Sequence, residues 1–300
     1  MSKVAPVKNS CDPLMIPNRH FEDYAPRYKD LFKLECTDDG ILTARWWKDG
    51  QYSGEWNPAL HRAIGQLCKD VSQDEDVEVM ILGGYGNDYI AGCRMPDKED
   101  TENRPWISYE NMYYDGCNNE EAIVDDLHIP TIGVLNGTGF HVEMVMFCDI
   151  TLMADDAQFF DPHFALVNMV PGDGLMIALR EMGLKRCTYH VLTGKNITAQ
   201  EALDWGLVSE LVPKDKIYDR AMEIAKDLLK KPRSIRRTTV DLLRRPLKQK
   251  IADELRLSFG YEMWQYVGEP EANHDGESIG LDARMKEMGA TLEGIETKNK

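Results

Sequence analysis

Residues 130–147 read Pro130-Thr131-Ile132-Gly133-Val134-Leu135-Asn136-Gly137-Thr138-Gly139-Phe140-His141-Val142-Glu143-Met144-Val145-Met146-Phe147. A short apolar run behind a proline predicts a buried strand over Thr131–Leu135, and the Asn-Gly-Thr-Gly segment predicts the tight turn that ends it. The apolar residues from Glu143 to Phe147 predict a helix, and a further strand is expected over Ile150–Met153. The same order occurs upstream, where the apolar run Val77 to Leu82 stops at Gly83-Gly84-Tyr85-Gly86. Strand, glycine turn and helix thus recur, a weak internal repeat that fits stacked ββα units in an α/β fold.

Working outward, Leu42, Ala44 and Trp46 alternate with polar neighbours as a strand does, and Asp49-Gly50 marks the turn that follows. Beyond Trp56, Asn57 is a fitting N-cap and Pro58 a fitting first helical residue. Leu60, Ala63, Ile64, Leu67, Cys68 and Val71 then form one apolar stripe, so an amphipathic helix is expected. Residues 1–30, rich in Pro, Asp and Arg and without periodicity, read as an irregular arm. Residues 97–126 hold ten Asp or Glu against two Lys or Arg, which predicts an exposed acidic insertion or lid. Downstream, Thr198-Ala199-Gln200-Glu201 is a capping box opening a helix that Gly206 closes before a strand at Leu207–Val212. From Lys216 to Val267 the pattern is mostly helical. The expected organisation is an α/β domain over residues 1–212 and a helical C-terminal region over 213–300. In that region the stripe Ile217, Ala221, Ile224, Ala225 and Leu228 is a candidate oligomer face.

A chain of 300 residues, 43% of them hydrophobic, can bury a large core. Seven cysteines without a Cys-x-x-Cys pair predict free thiols in a reducing compartment, with neither disulfides nor structural zinc. No stretch approaches the roughly 18 apolar residues of a membrane span, and the N-terminus lacks the apolar core of a signal peptide, so a cytoplasmic location is expected. The formal charge of −16 argues against nucleic acid and membrane surfaces as partners, because both are held chiefly by Lys and Arg clusters. No dinucleotide fingerprint, phosphate loop or metal-ligand spacing occurs, so no cofactor and no metal is expected.

Two glycine-bearing turns follow buried strands, Tyr89-Ile90-Ala91-Gly92-Cys93 and Asn136-Gly137-Thr138-Gly139-Phe140-His141. Turns of this kind can aim backbone N–H groups at one point, as an oxyanion hole requires. Glycine equally serves only to permit a tight turn. Asp161-Pro162-His163-Phe164, followed by Val170-Pro171-Gly172-Asp173-Gly174, places a histidine ten residues before an aspartate. A neutral imidazole is a good base near neutral pH, and a carboxylate on its other nitrogen fixes the tautomer and stabilises the imidazolium. Asp173 also stands where it would cap a helix from Gly174 to Met182 that Gly183 ends.

Over residues 77–212 the sequence resembles the crotonase, or enoyl-CoA hydratase, superfamily. The match runs through Ala91-Gly92, Asn136-Gly137, Glu143 six residues before Asp149, Phe159, Pro162 and Pro171-Gly172. It continues through Leu192-Thr193-Gly194, Ala199, Glu201-Ala202, Gly206-Leu207-Val208 and Val212. The resemblance implies a crotonase-like spiral of ββα units, a helical C-terminal oligomerisation region, and assembly as a trimer or hexamer. Where hydratases carry their second catalytic glutamate this chain has His163, and Asp173 replaces a small residue. These departures argue against hydratase chemistry and make the chain most similar to β-diketone hydrolases of the 6-oxocamphor hydrolase type.

That similarity implies a catalytic set of His163, Asp173, His141 and Glu262, with Trp56, His61, Cys93, Phe140 and Glu143 meeting substrate. His163, backed by Asp173, would deprotonate water, and hydroxide would attack one carbonyl of a cyclic or bicyclic 1,3-diketone. A retro-Claisen step then leaves a carboxylate and an enolate, whose oxygen takes donors from His141, Trp56 or backbone N–H groups. Glu262 would position substrate or protonate the enolate. The implied protein is a cofactor-independent homo-oligomeric hydrolase acting on a small-molecule diketone. The alternatives on the same fold are a CoA-thioester hydratase, isomerase or thioesterase, and a biosynthetic cyclase or C–C bond-forming enzyme.

Overall fold

The computed structural model of the protein describes residues 18–94, 107–268 and 281–294. Strands β1 (Phe32–Cys36), β2 (Ile41–Lys48), β3 (Tyr52–Trp56), β4 (Val79–Gly84), β5 (Ile90–Cys93), β6 (Thr131–Leu135) and β7 (Ile150–Ala154) form one sheet with β10 (Glu210–Val212). A separate antiparallel pair joins β8 (Gln158–Phe159) to β9 (Ile197–Thr198). In the main sheet the order is β10-β7-β6-β4-β2-β3-β5, with β1 also paired to β2. From β10 across to β2 every pairing is parallel, while β2 turns back on β3 as an antiparallel hairpin. Parallel strands are covered on both faces, and β4 and β6 are accordingly buried along their whole length.

Local signals place the first long helix. Asn57 accepts hydrogen bonds from the N–H groups of Ala59 and Leu60 at 3.0 and 2.9 Å, opening α2 (Pro58–Ser72) after the short α1 (Phe21–Tyr24). Its expected stripe is buried. Further along come α3 (Gly116–Glu121), α4 (Glu143–Met146), α5 (His163–Leu166), α6 (Leu175–Leu179), α7 (Leu184–Thr193) and α8 (Ala199–Asp204). The capping box of Thr198 and Glu201 opens α8, and Gly206 follows it at φ +75°. The C-terminal part holds α9 (Ile217–Leu229), α10 (Arg233–Lys250), α11 (Arg256–Gly268) and α12 (Leu281–Glu287). No helix of the described residues is long and apolar enough to cross a membrane.

Three expectations change. Residues 21–28 are helical turns rather than an irregular arm, because Tyr24 and Tyr28 point into the core and bond Asp74 and Asp70 at 3.0 and 2.6 Å. The rest of that arm, residues 1–17, lies outside the described residues. The acidic stretch is not an exposed insertion over its described part: α3 and the π-helical turns Ile107–Asp115 and Ala122–Asp126 bury Cys117, Asn119, Glu120, Ala122, Ile123 and Val124. The charge count hid an inward face, and residues 97–106 lie outside the description. Finally, the α9 stripe is covered within the chain, with Ile217, Ala221 and Ala225 buried against the sheet.

Arg244 on α10 pins the helical region to the sheet. Its guanidinium donates to Asp149 at 2.7 and 2.5 Å, to the carbonyl oxygens of Leu127 and Ile129, and to Thr131, while Asp149 accepts from the Thr131 N–H at 2.7 Å. Removing one member of a buried pair leaves the other uncompensated. Arg244→Met is therefore expected to cost about 3–5 kcal/mol in urea unfolding, whereas an exposed neighbour such as Arg245→Met should cost below about 0.5.

Candidate active site

Side chains from six parts of the chain meet in one cavity at the C-terminal side of β3, β5 and β6. All nine residues expected at the site line it: Trp56 and His61 at the start of α2, Cys93 ending β5, Phe140, His141 and Glu143 after β6, His163, Asp173, and Glu262 from α11. His61 and Glu262 are buried, not solvated helix residues.

His141 owes its aim to an unusual backbone. It is a non-glycine residue at φ +52°, a conformation that costs about 1–3 kcal/mol and persists only when neighbours impose it. Tyr89 Oη donates to its carbonyl at 3.2 Å, and the imidazole stacks on Trp56 at 4.1 Å with planes 20° apart. Its Nδ1 lies 2.9 Å from Glu143 Oε1 and 3.4 Å from Asp173 Oδ2. With Nδ1 engaged, Nε2 is the nitrogen left to meet a ligand.

His163 is oriented differently from the sequence-based expectation. Its Nδ1 lies 2.7 Å from Asp161 Oδ1, and the same oxygen accepts the His163 backbone N–H at 2.9 Å. Asp173 stands on the other side of the ring, 3.9 Å from Nε2, beside Glu262 at 4.0 Å. The hydrogen-bonded carboxylate is thus Asp161, two residues upstream, because the Asp-Pro-His turn folds that side chain back on its own imidazole. Asp173 faces both histidines and also accepts the Leu175 N–H at 3.2 Å, so the capping and site positions coexist.

Two carboxyls hold the loop that presents Asp173. Glu262 Oε2 accepts the Gly172 N–H at 3.1 Å, and Glu120 Oε1 accepts the Gly174 N–H at 2.9 Å. At Gly172 an added Cβ would lie 2.3 Å from the Ser258 carbonyl and 2.5 Å from Glu262 Cβ, so only glycine permits this approach of loop and helix.

Burial and charge act together here. Burial alone would lower the His141 pKa, but Glu143 and Asp173 overcome it and raise it to about 9. Likewise burial opposes the proton on His163, while Asp173, Asp161 and Glu262 hold it well above the ordinary value. Asp173 is lowered, since both imidazoles offset its burial. Burial lifts Glu262 to about 7 against the pull of His163, raises Glu143, and lowers His61 to about 4, leaving that imidazole neutral. The arrangement can take a proton from a nucleophile, hold a cation beside a developing oxyanion and return a proton.

Asp161, Asn119 and Glu120 were not singled out from sequence. The signal for Asp161 was its place two residues before His163 across a proline. For Glu120 it was the apolar run Ala122-Ile123-Val124 next door, which the acidic count obscured. The group His141, His163 and Asp173 offers ligand atoms within 4.8 Å of one another, close enough to hold a metal ion.

A family model described as enoyl-CoA hydratase/isomerase matches residues 56–271. The chain is 28% identical over 209 residues, 68% of its length, to the fatty acid oxidation complex subunit alpha of Idiomarina loihiensis, of which it spans 29%. Over 181 residues, 58% of its length, it is 26% identical to the hydroxycinnamoyl-CoA hydratase-lyase of Pseudomonas fluorescens, of which it spans 64%. It therefore covers less than two thirds of either relative. The structure matches that of a β-diketone hydrolase from the cyanobacterium Anabaena, bound to (S)-3-oxocyclohexyl acetic acid, with a TM-score of 0.71 at 28% identity, covering 80% of this chain and 95% of that one.

The charge network is open to titration. A histidine held cationic by folded-state partners stabilises the fold in full below its unfolded value and loses that contribution as pH rises through the folded one, here about 9 for His141. In Asp173→Asn the His141 value, read by NMR of the labelled imidazole, is expected to fall below about 9, and the alkaline loss of stability to begin at lower pH. An unchanged His141 titration would show that Asp173 does not act on it.

Proposed function

The chain belongs to the enoyl-CoA hydratase/isomerase family, and from that premise we propose that it hydrolyses a C–C bond of a cyclic or bicyclic 1,3-diketone. The observation that carries this reading is the imidazole of His163, fixed by Asp161 on one nitrogen and open to the cavity on the other, opposite the cation of His141. The Anabaena neighbour, a β-diketone hydrolase, supports the same chemistry.

In this reading neutral His163 takes a proton from water at Nε2 while Asp161 holds the Nδ1 proton, and the hydroxide adds to one carbonyl carbon. Collapse of the tetrahedral oxyanion re-forms that carbonyl as a carboxylic acid and breaks its bond to the central carbon. The bond electrons pass to the enolate of the other ketone. His141 Nε2–H faces the growing negative charge, and Asp173 between the two rings balances the positive charge that His163 gains beside the His141 cation. The central carbon then takes a proton from the His163 imidazolium or from Glu262, and the carboxylic acid ionises. Trp56, His61, Cys93 and Phe140 would shape the diketone's seat.

The relatives named for CoA thioesters make a hydratase the competing reading. None of the described residues lining the cavity is Lys or Arg, the residues that usually meet phosphate. Monocyclic and bicyclic 1,3-diketones should be converted to keto acids, followed by mass spectrometry, with no CoA added and with no loss after dialysis against a chelator. His163→Ala and Asp161→Asn should each lower turnover by about 100-fold or more, and the double variant little further. Because carboxylates raise the His163 value, the base form grows with pH, whereas His141 loses its proton through about 9. Turnover should therefore peak on the alkaline side of neutrality. Hydration of an enoyl-CoA with no diketone turnover would overturn the reading.

We further propose a trimer or hexamer. Exposed apolar side chains sit on α10 (Leu242 and Leu243) and in an i, i+4, i+7 row on α11 (Leu257, Tyr261 and Trp264, the last 75% exposed), surfaces suited to a second copy of the chain. Light scattering at micromolar concentration should give three or six times the chain mass of 34.2 kDa, reduced by the pair Leu257→Glu and Trp264→Glu; a wild-type monomer would contradict this.

A further inference from the structure

Glu120 and Glu262 grip the two ends of the same glycine loop, each through one oxygen, but their second oxygens differ. Glu262 Oε1 lies 4.0 Å from the His163 imidazole. Glu120 Oε2 is buried with no hydrogen-bond partner, and among the described residues no Lys, Arg or His pairs with Glu120. The charges that reach it belong to Glu143, Asp173 and Glu262. It lines the same cavity as they do. Gly174 makes room for it, since a Cβ there would fall on Oε2.

A carboxylate so placed would be an uncompensated buried anion beside other carboxyls, so the neutral acid is the favoured form. Burial, Glu143 and Asp173 all push its pKa up, well above the ordinary carboxyl value. In the neutral acid Oε1, which accepts the Gly174 N–H at 2.9 Å, serves as the carbonyl oxygen, and the proton sits on Oε2. That leaves a buried O–H without an acceptor on a side chain that lines the cavity.

We propose that Glu120 is a ligand-binding residue of this site, donating a hydrogen bond from Oε2 to an oxygen of the bound ketone and of the enolate it becomes. The assignment rests on the diketone reading for the identity of that oxygen, and it selects ligands carrying an acceptor at the α3 end of the cavity. It also gives the enolate a neutral donor besides the cation of His141, so that the developing charge is met from two elements of the fold.

Infrared difference spectra of wild type against Glu120→Gln should show the carbonyl stretch of a protonated carboxyl at neutral pH, shifted to lower frequency when the keto acid binds. A purely structural grip on Gly174 would leave that band unshifted by ligand. In kinetics, Glu120→Gln, whose amide can still donate, should lose a few-fold in kcat/KM and Glu120→Leu about 100-fold, with the folded state checked by thermal melting. Should Glu120→Leu fail to fold, the spectra decide alone. A missing band, a band unmoved by the keto acid, absence of keto-acid binding, or Glu120→Leu as active as Glu120→Gln would each overturn the assignment. Absent diketone turnover with a shifted band would sink the hydrolase reading instead, so the two failures are distinguishable.

Discussion

His163, Glu120, Glu143, Asp173 and Glu262 are buried around one cavity with the half-buried His141, and the buried Asp161 backs His163 from behind. Charge removed from water has to be balanced within the protein or neutralised by a proton. That requirement sets the rest of the site. Asp173 lies between the histidines and is held ionised by them, the histidines are held cationic in return, and burial with neighbouring carboxyls pushes Glu120 toward the neutral acid. The charge of Asp173 is felt at His141, His163, Glu120, Glu143 and Glu262, because the groups are close and the surrounding dielectric is low.

The fold supplies this cluster from elements remote in sequence. The turn after β6 delivers His141 in a strained backbone conformation, and the turn after β8 delivers Asp161 and His163 together. The loop bearing Asp173 is pinned at Gly172 by α11 and at Gly174 by α3. The C-terminal helices are therefore part of the site as well as a cover for the sheet, and the Arg244–Asp149 pair that fastens α10 to β6 and β7 supports the framework on which α11 continues.

The chain shares its family with enzymes named for CoA thioesters, and one family fold can present different side chains at its site. Exchanging the charges presented there changes which proton moves and which bond can break.

Much was legible in the sequence because it depended on neighbours in the chain. Asn57-Pro58, the Thr198 capping box and the apolar runs of β4 and β6 specify their elements through local hydrogen bonding and periodicity. The resemblance at Ala91-Gly92, Asn136-Gly137 and Pro171-Gly172 specified the superfamily fold. Other features required the tertiary structure. The acidic count over 97–126 could not tell that Asn119 and Glu120 turn inward, since charge composition is blind to which face of a helix meets the core. Nor could the spacing of Asp161, His163 and Asp173 decide which carboxylate meets which nitrogen. An imidazole has two, and their partners are settled by backbone direction, by the left-handed turn at His141 and by contacts from α3 and α11 that lie outside any local window. What the sequence determined by itself is the local order of strands, turns and caps; the pairing and ionisation of buried side chains were decided only by folding, because long-range electrostatics and desolvation act through space, not along the chain.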